Sequence, residues 1–461
     1  MDPVLIDGAN TGFVMVCAFL VLLMTPGLAF FYGGMSRSKS VLNMMMMSFS
    51  AIAIVSVLWV AFGYALTFGA DQHGLWGWSS GLVGLSDLTN NATFGATDST
   101  KVTNTYLLPD LVFAGFQLMF AIITVALISG AVADRMKFSA WLVFTTVWVS
   151  LIYFPVAHWV FAFGVAEEGG EAAGFANGFF AKDSGGWIVN QLGAFDLAGG
   201  TAVHINAGAA ALALVLVLGK RKGFGKEAMR PHNLPFVMLG TGLLWFGWFG
   251  FNVGSTLGST AYSGLVLINT QVATAAALLG WLIVERLRDG HMTTLGGASG
   301  AVAGLVAITP ACGFVNAWGA IAIGVVAGIV CSLAVTFKHR LGYDDALDVV
   351  GVHLVGGLVG TLMIGIVGDK THTLTDSLVD GGSFALLGTQ ATAAFAVLGY
   401  SFVGTLIIAL LLKVTIGLRV SDEDELTGVD QAEHAETAYD LAITGGGGSS
   451  LGASAHSRIV T

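Results

Sequence analysis

The feature that most constrains this chain is the recurrence, from Gly12 to Leu418, of apolar runs as long as a bilayer is thick. About 20 apolar residues cross the hydrocarbon core as a helix, which satisfies its own backbone where no water can. Eleven such runs can be marked, over residues 11–32, 41–69, 107–132, 138–163, 197–219, 233–253, 260–284, 295–312, 316–337, 349–368 and 388–418. The eighth is the shortest and lies near the lower limit for a span. Only 10% of the 461 residues are charged, against about 25% in soluble domains. Two or three soluble domains are therefore excluded.

Lysine and arginine placement sets the expected orientation. Loops one, three, five, seven and nine hold thirteen of the nineteen, among them Arg37, Lys39, Arg135, Lys220, Arg221, Lys222 and Lys338. The intervening loops hold only Lys101, Lys182 and Lys370. Positive charge marks the cytoplasmic side, so the N-terminus is expected outside and the C-terminus inside. An odd number of spans agrees with that. No basic residue precedes the first apolar run, so a cleavable signal peptide is not expected. After Leu418 the chain turns acidic and then glycine-rich, which divides it into a membrane domain, 1–418, and a cytoplasmic tail, 419–461. The tail is too poor in apolar residues to form a catalytic domain.

Other chemistries find little support. The net charge is −10, with no basic surface for nucleic acid. Cys17, Cys312 and Cys331 lie far apart, without metal-ligand spacing, and read as buried thiols. No cofactor is implied. Asn91-Ala-Thr93 fits a glycosylation acceptor but is a short motif that chance supplies. Gly296, Gly300 and Gly304 recur at the spacing that lets membrane helices approach closely.

Ionisable groups within apolar runs cost desolvation and so point to function. His158, His204 and His353 are the histidines so placed. His158 reads equally well as a satisfied core residue. His204 and His353 share a pattern, each following an aspartate at a helix start and preceding glycines. Their recurrence in spans five and ten suggests an inverted repeat of spans 1–5 and 6–10, with a site between the halves. Counting residues from the span ends leaves a gap of roughly 10 Å between the two along the membrane normal, most of which boundary shifts and tilt can close, so contact is allowed. Asp196 and Asp348 stand where helix N-caps are expected, with Asp196 also at the outer mouth. Trp248, Phe251 and Ser255 in span six and Phe161 in span four collect towards the outer side. Aromatic faces there could attract a cation or form an interfacial belt.

Several stretches then match a family in order. TPGLAFFYGG, FQLMFAIITVALISGAVADR, DLAGGTAVHIN, GWFGFNVGS, DVVGVH and the tail's GLRVSDEDE…GVDQAEHAETAY together resemble the ammonium transporter (Amt/Mep/Rh) family, Amt branch. The resemblance implies a homotrimer of eleven-helix protomers in the plasma membrane, each with a narrow hydrophobic pore. By that resemblance His204 and His353 are the pore histidines. Phe120 and Phe251 are stacked gate rings, with Phe116 one turn above. Phe161, Trp248 and Ser255 form an outer recruitment site that Asp196 supports. The family commonly has Trp where Phe161 stands. The resemblance also implies ammonium, ammonia or methylammonium as substrate and a PII-type regulator at the cytoplasmic face. It makes the chain a transporter rather than an enzyme. Two rival readings are an ammonium receptor on the same fold and an intramembrane serine protease using Ser299 and His353. The tail's Asp422, Glu423, Asp424 and Glu425 are expected to meet Lys220, Arg221 and Lys222, while 444–461 reads as a solvated stretch.

Overall fold

The computed structural model describes residues 6–89, 108–165 and 180–439. The Asn91-Ala-Thr93 motif, Lys101 and residues 444–461 lie outside the described residues. Ten helices among the described residues are long and apolar enough to span a membrane. They are α1 (Gly8–Met35), α2 (Val41–Phe68), α3 (Asp110–Val132), α4 (Phe138–Phe161), α5 (Gly200–Leu218), α6 (Leu234–Gly254), α7 (Ala261–Asp289), α9 (Ala317–Leu341), α10 (Val350–Val367) and α11 (Ala385–Thr415). Between α7 and α9 lies α8 (Thr294–Ile308), an apolar helix of 15 residues. At 1.5 Å per residue it is roughly 22 Å long, short of the ~30 Å core. Its shortness follows from Pro310, which allows no further helix two residues beyond its end.

Small residues fix how closely these helices pack. A Cβ added at Gly240 on α6 would collide with the Phe31 amide of α1, so the two helices touch along their backbones. At Gly300 on α8 it would lie 2.7 Å from Trp281 Cβ on α7. The glycine stripe read from the sequence is therefore a packing device. Gly300's neighbour Ser299 is buried in that stripe.

Wide π-type turns interrupt α2, α4, α5 and α10 at 59–63, 149–153, 200–205 and 350–354. In α4 the cause is visible. Pro155 has no N–H for the carbonyl four residues back, that of Leu151, and the Tyr400 hydroxyl of α11 donates to that carbonyl instead, at 2.7 Å.

Four of the five basic loops meet at one end. Arg221 forms a two-pronged pair with Asp344, at 2.8 and 2.9 Å, and reaches Asp134 at 3.0 Å. Arg37 also contacts Asp134, at 3.1 Å. Burial alone would raise both carboxyls, but Arg221, with Arg37 at Asp134 and Arg135 at Asp344, holds them below their ordinary values. The tail docks on this same end through α12 (Asp422–Thr427) and α13 (Val429–His434). Lys222 pairs with Asp422 at 2.5 Å, and its backbone N–H donates to Glu425 at 2.6 Å. Asp430 accepts from the N–H groups of Leu42 and Asn43, capping α2. The expectation for Arg221 is corrected. Its guanidinium is claimed by the buried Asp134 and Asp344, while the tail's buried Glu425 pairs with Arg419.

Candidate functional site

The first turn of α5 is built on a carboxylate. Gly199 has φ 115°, open to glycine without strain. It turns the chain so that the N–H groups of Gly199, Gly200 and Thr201 all point at Asp196, each at 2.7 Å. The Thr201 hydroxyl donates there too. Burial raises the Asp196 carboxyl despite these four donors. Its place is structural, holding the wide turn that carries His204.

The start of α10 resembles it with different parts. Asp348 is the left-handed residue here, with φ 65°, and it does not cap the helix. Its side chain pairs with Lys338 at 2.5 Å. The cap is Asp345, which accepts the Val350 N–H at 2.7 Å. Asp348's left-handed backbone aims its carboxylate away from the helix, which corrects the sequence expectation. Both histidines thus ride on π-type turns, at 200–205 and 350–354, that follow a left-handed residue.

These turns bring His204 and His353 into contact. Their Nδ1 atoms are 3.3 Å apart and their rings stack at 5.3 Å. The contact that residue counting allowed is therefore made. One Nδ1 must donate and the other accept, so the two rings hold complementary tautomers. Nε2 of His204 is buried with no hydrogen-bond partner among the described residues. An unpaired polar atom costs free energy in an apolar lining and so marks a place for a polar guest.

An aromatic column continues from this pair. Trp248 stacks on His204 at 5.4 Å, and Phe251 lies 6.1 Å from it. Phe251 stacks face to face with Phe120 at 4.2 Å, leaving no gap between the rings. Phe116 and Phe161 meet Phe120 edge-on, at 4.9 and 6.2 Å. All of these rings are buried. Ser255 is one turn beyond Phe251, and its hydroxyl donates to the Phe251 carbonyl at 2.8 Å. Its oxygen lone pairs remain free to accept from a small N–H donor. Trp248, expected at the mouth, instead lies beside the histidines. Seven residues, or about 10 Å of helix, separate it from Ser255.

Two residues of this column escaped the sequence reading. Thr309 accepts the Trp248 indole N–H at 2.8 Å, and Asn252 accepts from Thr309 at 3.2 Å. Nothing in ITPAC or GFNVG signals that partnership. His158 takes its plainer reading, with both ring nitrogens bonded, to Thr67 and Asp71. His353 pairs with His204, and no hydrogen bond joins it to Ser299 among the described residues, so the dyad a protease needs is not formed. The three cysteines are buried and free.

A stack of spanning helices around a buried column of rings and two histidines defines a multi-pass membrane transport protein, not an enzyme. The chain belongs to the ammonium transporter family: the model described as Ammonium Transporter Family matches residues 12–439. It is 56% identical over 452 residues to a protein named ammonium transporter from Mycobacterium tuberculosis, covering 95% of this chain and 92% of that one. A Bacillus subtilis protein of the same name is 43% identical over 436 residues, covering 93% and 98%. Among solved structures, one titled Sensor Amt Protein superposes with TM-score 0.80 at 31% identity, covering 92% of this chain and 98% of that one. Mep2 of Saccharomyces cerevisiae superposes with TM-score 0.78 at 33% identity, covering 91% and 88%.

Proposed function

We propose that this chain moves ammonium across the plasma membrane by recruiting the cation at an outer aromatic site and passing neutral ammonia along the two histidines. The observation that carries the reading is the buried His204–His353 pair with an unpartnered ring nitrogen. A bare cation at the bilayer centre is expensive, whereas ammonia is small and needs only one or two hydrogen bonds. Phe161 and Ser255 suit the recruiting role: Phe161 offers a π face, and Ser255 offers a free acceptor oxygen. Phe120 and Phe251 form the gate and Phe116 backs it. Asp196 supports the site through the turn it caps. Trp248 belongs to the lane.

The same proposal places the N-terminus outside and the basic end with its docked tail inside, in keeping with the gathered positive charge. It includes eleven spans, with α8 as the eighth, in two inverted halves, and a homotrimer. A PII-type regulator would meet the cytoplasmic end formed by the basic loops and residues 419–439. The membrane domain is 1–418 and the tail, 419–461, is regulatory. A second reading, an ammonium receptor, draws on the neighbour titled Sensor Amt Protein.

Purified protein in liposomes given an ammonium pulse separates these readings. The proposal expects a current or a flux of ammonia that empty liposomes lack, and Ser299→Ala should match wild type. Neither current nor flux would leave the receptor reading.

A further inference from the structure

One cavity belongs to neither the lane nor its gate. It lies at the basic end, where the docked tail crosses the loop between α1 and α2, and its volume is about 170 Å³. A cavity of about 150 Å³ holds benzene, so a guest of that size fits. The loop supplies Ser38 and Lys39, and the tail supplies the rest of the wall, from Thr427 to Tyr439. The cavity therefore exists only while the tail is docked.

Lys39 is the centre of this junction. Its carbonyl accepts the Asp430 N–H at 3.2 Å, and its ammonium donates to the Leu426 carbonyl. A Cβ added at Gly428 would lie 2.9 Å from Lys39 Cβ, so the tail backbone runs against the side chain. Two of the three ammonium N–H groups remain to be used. Among the described residues no carboxylate lies within ion-pair distance of Nζ. Asp430 is the only acid among the described wall residues, and its two oxygens accept from Leu42 and Asn43. Burial, and after it the neighbouring Arg37, hold the Lys39 ammonium below its ordinary value, against the weaker pulls of Asp134, Glu425 and Glu227. Its charge is unmatched. Ser38, Thr427, Gln431 and Thr437 complete the polar wall. Their side chains make no hydrogen bond among the described residues, and each can donate one. Tyr439 closes the cavity with its ring, its hydroxyl 2.9 Å from His232 Nε2. An unmatched cation among neutral donors, with the one acid turned aside, suits an anion.

We propose that this cavity binds a small soluble oxyanion, a carboxylate or a phosphate, between Lys39 and the tail's hydroxyl and amide groups, and so pins the docked tail to the loop. A hydrogen bond from an ammonium to an anion is roughly twice as strong as a neutral one, so Lys39 is the anchor and the neutral groups set the fit. Arg37 is not the anchor, because its guanidinium is paired with Asp134 at 3.1 Å. The inference goes beyond the transport reading and does not depend on it.

Hydrogen exchange of the tail amides, residues 422–439, measures how often the tail opens, and a ligand of the docked state alone must slow it. Full-length protein in nanodiscs of neutral phosphatidylcholine is compared in sodium phosphate, sodium malonate and sodium chloride at equal ionic strength. Phosphate or malonate at about ten times its dissociation constant should slow exchange about tenfold relative to chloride. Lys39→Gln should lose that slowing, whereas Lys226→Gln, which removes a basic residue outside the cavity, should keep it. Thr437→Glu hangs a carboxylate from the cavity wall. Its tail should exchange slowly in chloride alone and gain nothing from phosphate, which decides the matter even where Lys39→Gln releases the tail. No slowing in the wild type by either anion overturns the proposal, as does slowing that persists in Lys39→Gln or is lost equally in Lys226→Gln. A Thr437→Glu tail that responds to phosphate as the wild type does overturns it too. Slowing that needs anionic phosphatidylglycerol rather than a soluble anion makes the guest a lipid headgroup and overturns the soluble ligand.

Discussion

The two helix starts that deliver the histidines do the same work with unlike materials. At α5, one carboxylate, Asp196, accepts from three backbone N–H groups and a hydroxyl, with no salt bridge to it among the described residues. At α10, Asp345 accepts from the Val350 N–H, while Asp348 pairs with Lys338. Lys338 also donates to the Asp345 carbonyl, at 2.9 Å. Burial pushes the Asp345 carboxyl up, to about 6, against the pull of Lys338. The first start is self-contained. The second shares the basic end of the bundle with Asp344, Arg221 and, through Lys222 and Glu425, the tail. The comparison teaches that His204 is held by local geometry, whereas His353 is held by a charged network at the end where the tail docks.

Exchanging the two carboxylates for alanine should expose that asymmetry most strongly. Asp196→Ala strands three buried N–H groups at about 1–3 kcal/mol each before water partly replaces the lost bonds. It should abolish methylammonium uptake and lower the thermal midpoint of the purified protein. Asp345→Ala loses one cap, about 1 kcal/mol, and also removes a buried charge, so uptake should fall only in part. Equal losses in the two variants would break the comparison.

Phe161→Trp probes the outer site without touching either start. Indole is the stronger cation–π partner, and a gain of about 1 kcal/mol should tighten the half-saturating ammonium concentration roughly fivefold. No shift would place Phe161 in an aromatic belt with no part in recruitment.

The tail gives the smallest local effects. Lys222→Ala removes an exposed ion pair worth about 0–1 kcal/mol and should leave uptake near wild type. Truncation after Leu418 should impair uptake while the oligomer assembles normally, because it removes the Asp430 cap of α2 and the Glu425 contacts together. Truncation after Thr444 should do little. Full activity after truncation at Leu418 would sever the tail from the α10 network and sharpen the contrast in the opposite sense.

Much of this architecture was legible because apolar length and glycine spacing are properties of contiguous sequence. The helices begin and end within a few residues of the runs read for them. His204 and His353 stood out because a histidine in an apolar run is conspicuous. Pairings across the bundle were not legible. Thr309 with Trp248, Tyr400 with Leu151 and Arg221 with Asp344 each join residues far apart in sequence, and loop charges were read only for their sign. Contact between the two histidines was allowed by residue counting but not fixed by it, because π-type turns and helix tilt leave no mark in apolar periodicity. Asp348 was taken for a cap since sequence does not reveal a left-handed backbone at a non-glycine residue.

The central claim is that the His204–His353 pair is the conduction path. Methylammonium uptake into proteoliposomes by His204→Ala, by His353→Ala and by the double variant, each beside a thermal melt of the same preparation, tests it most directly. The account predicts altered uptake in each single variant with the fold retained, and an effect of the double variant that is not the sum of the two, because the rings share one hydrogen bond. Wild-type uptake in the folded double variant would contradict it.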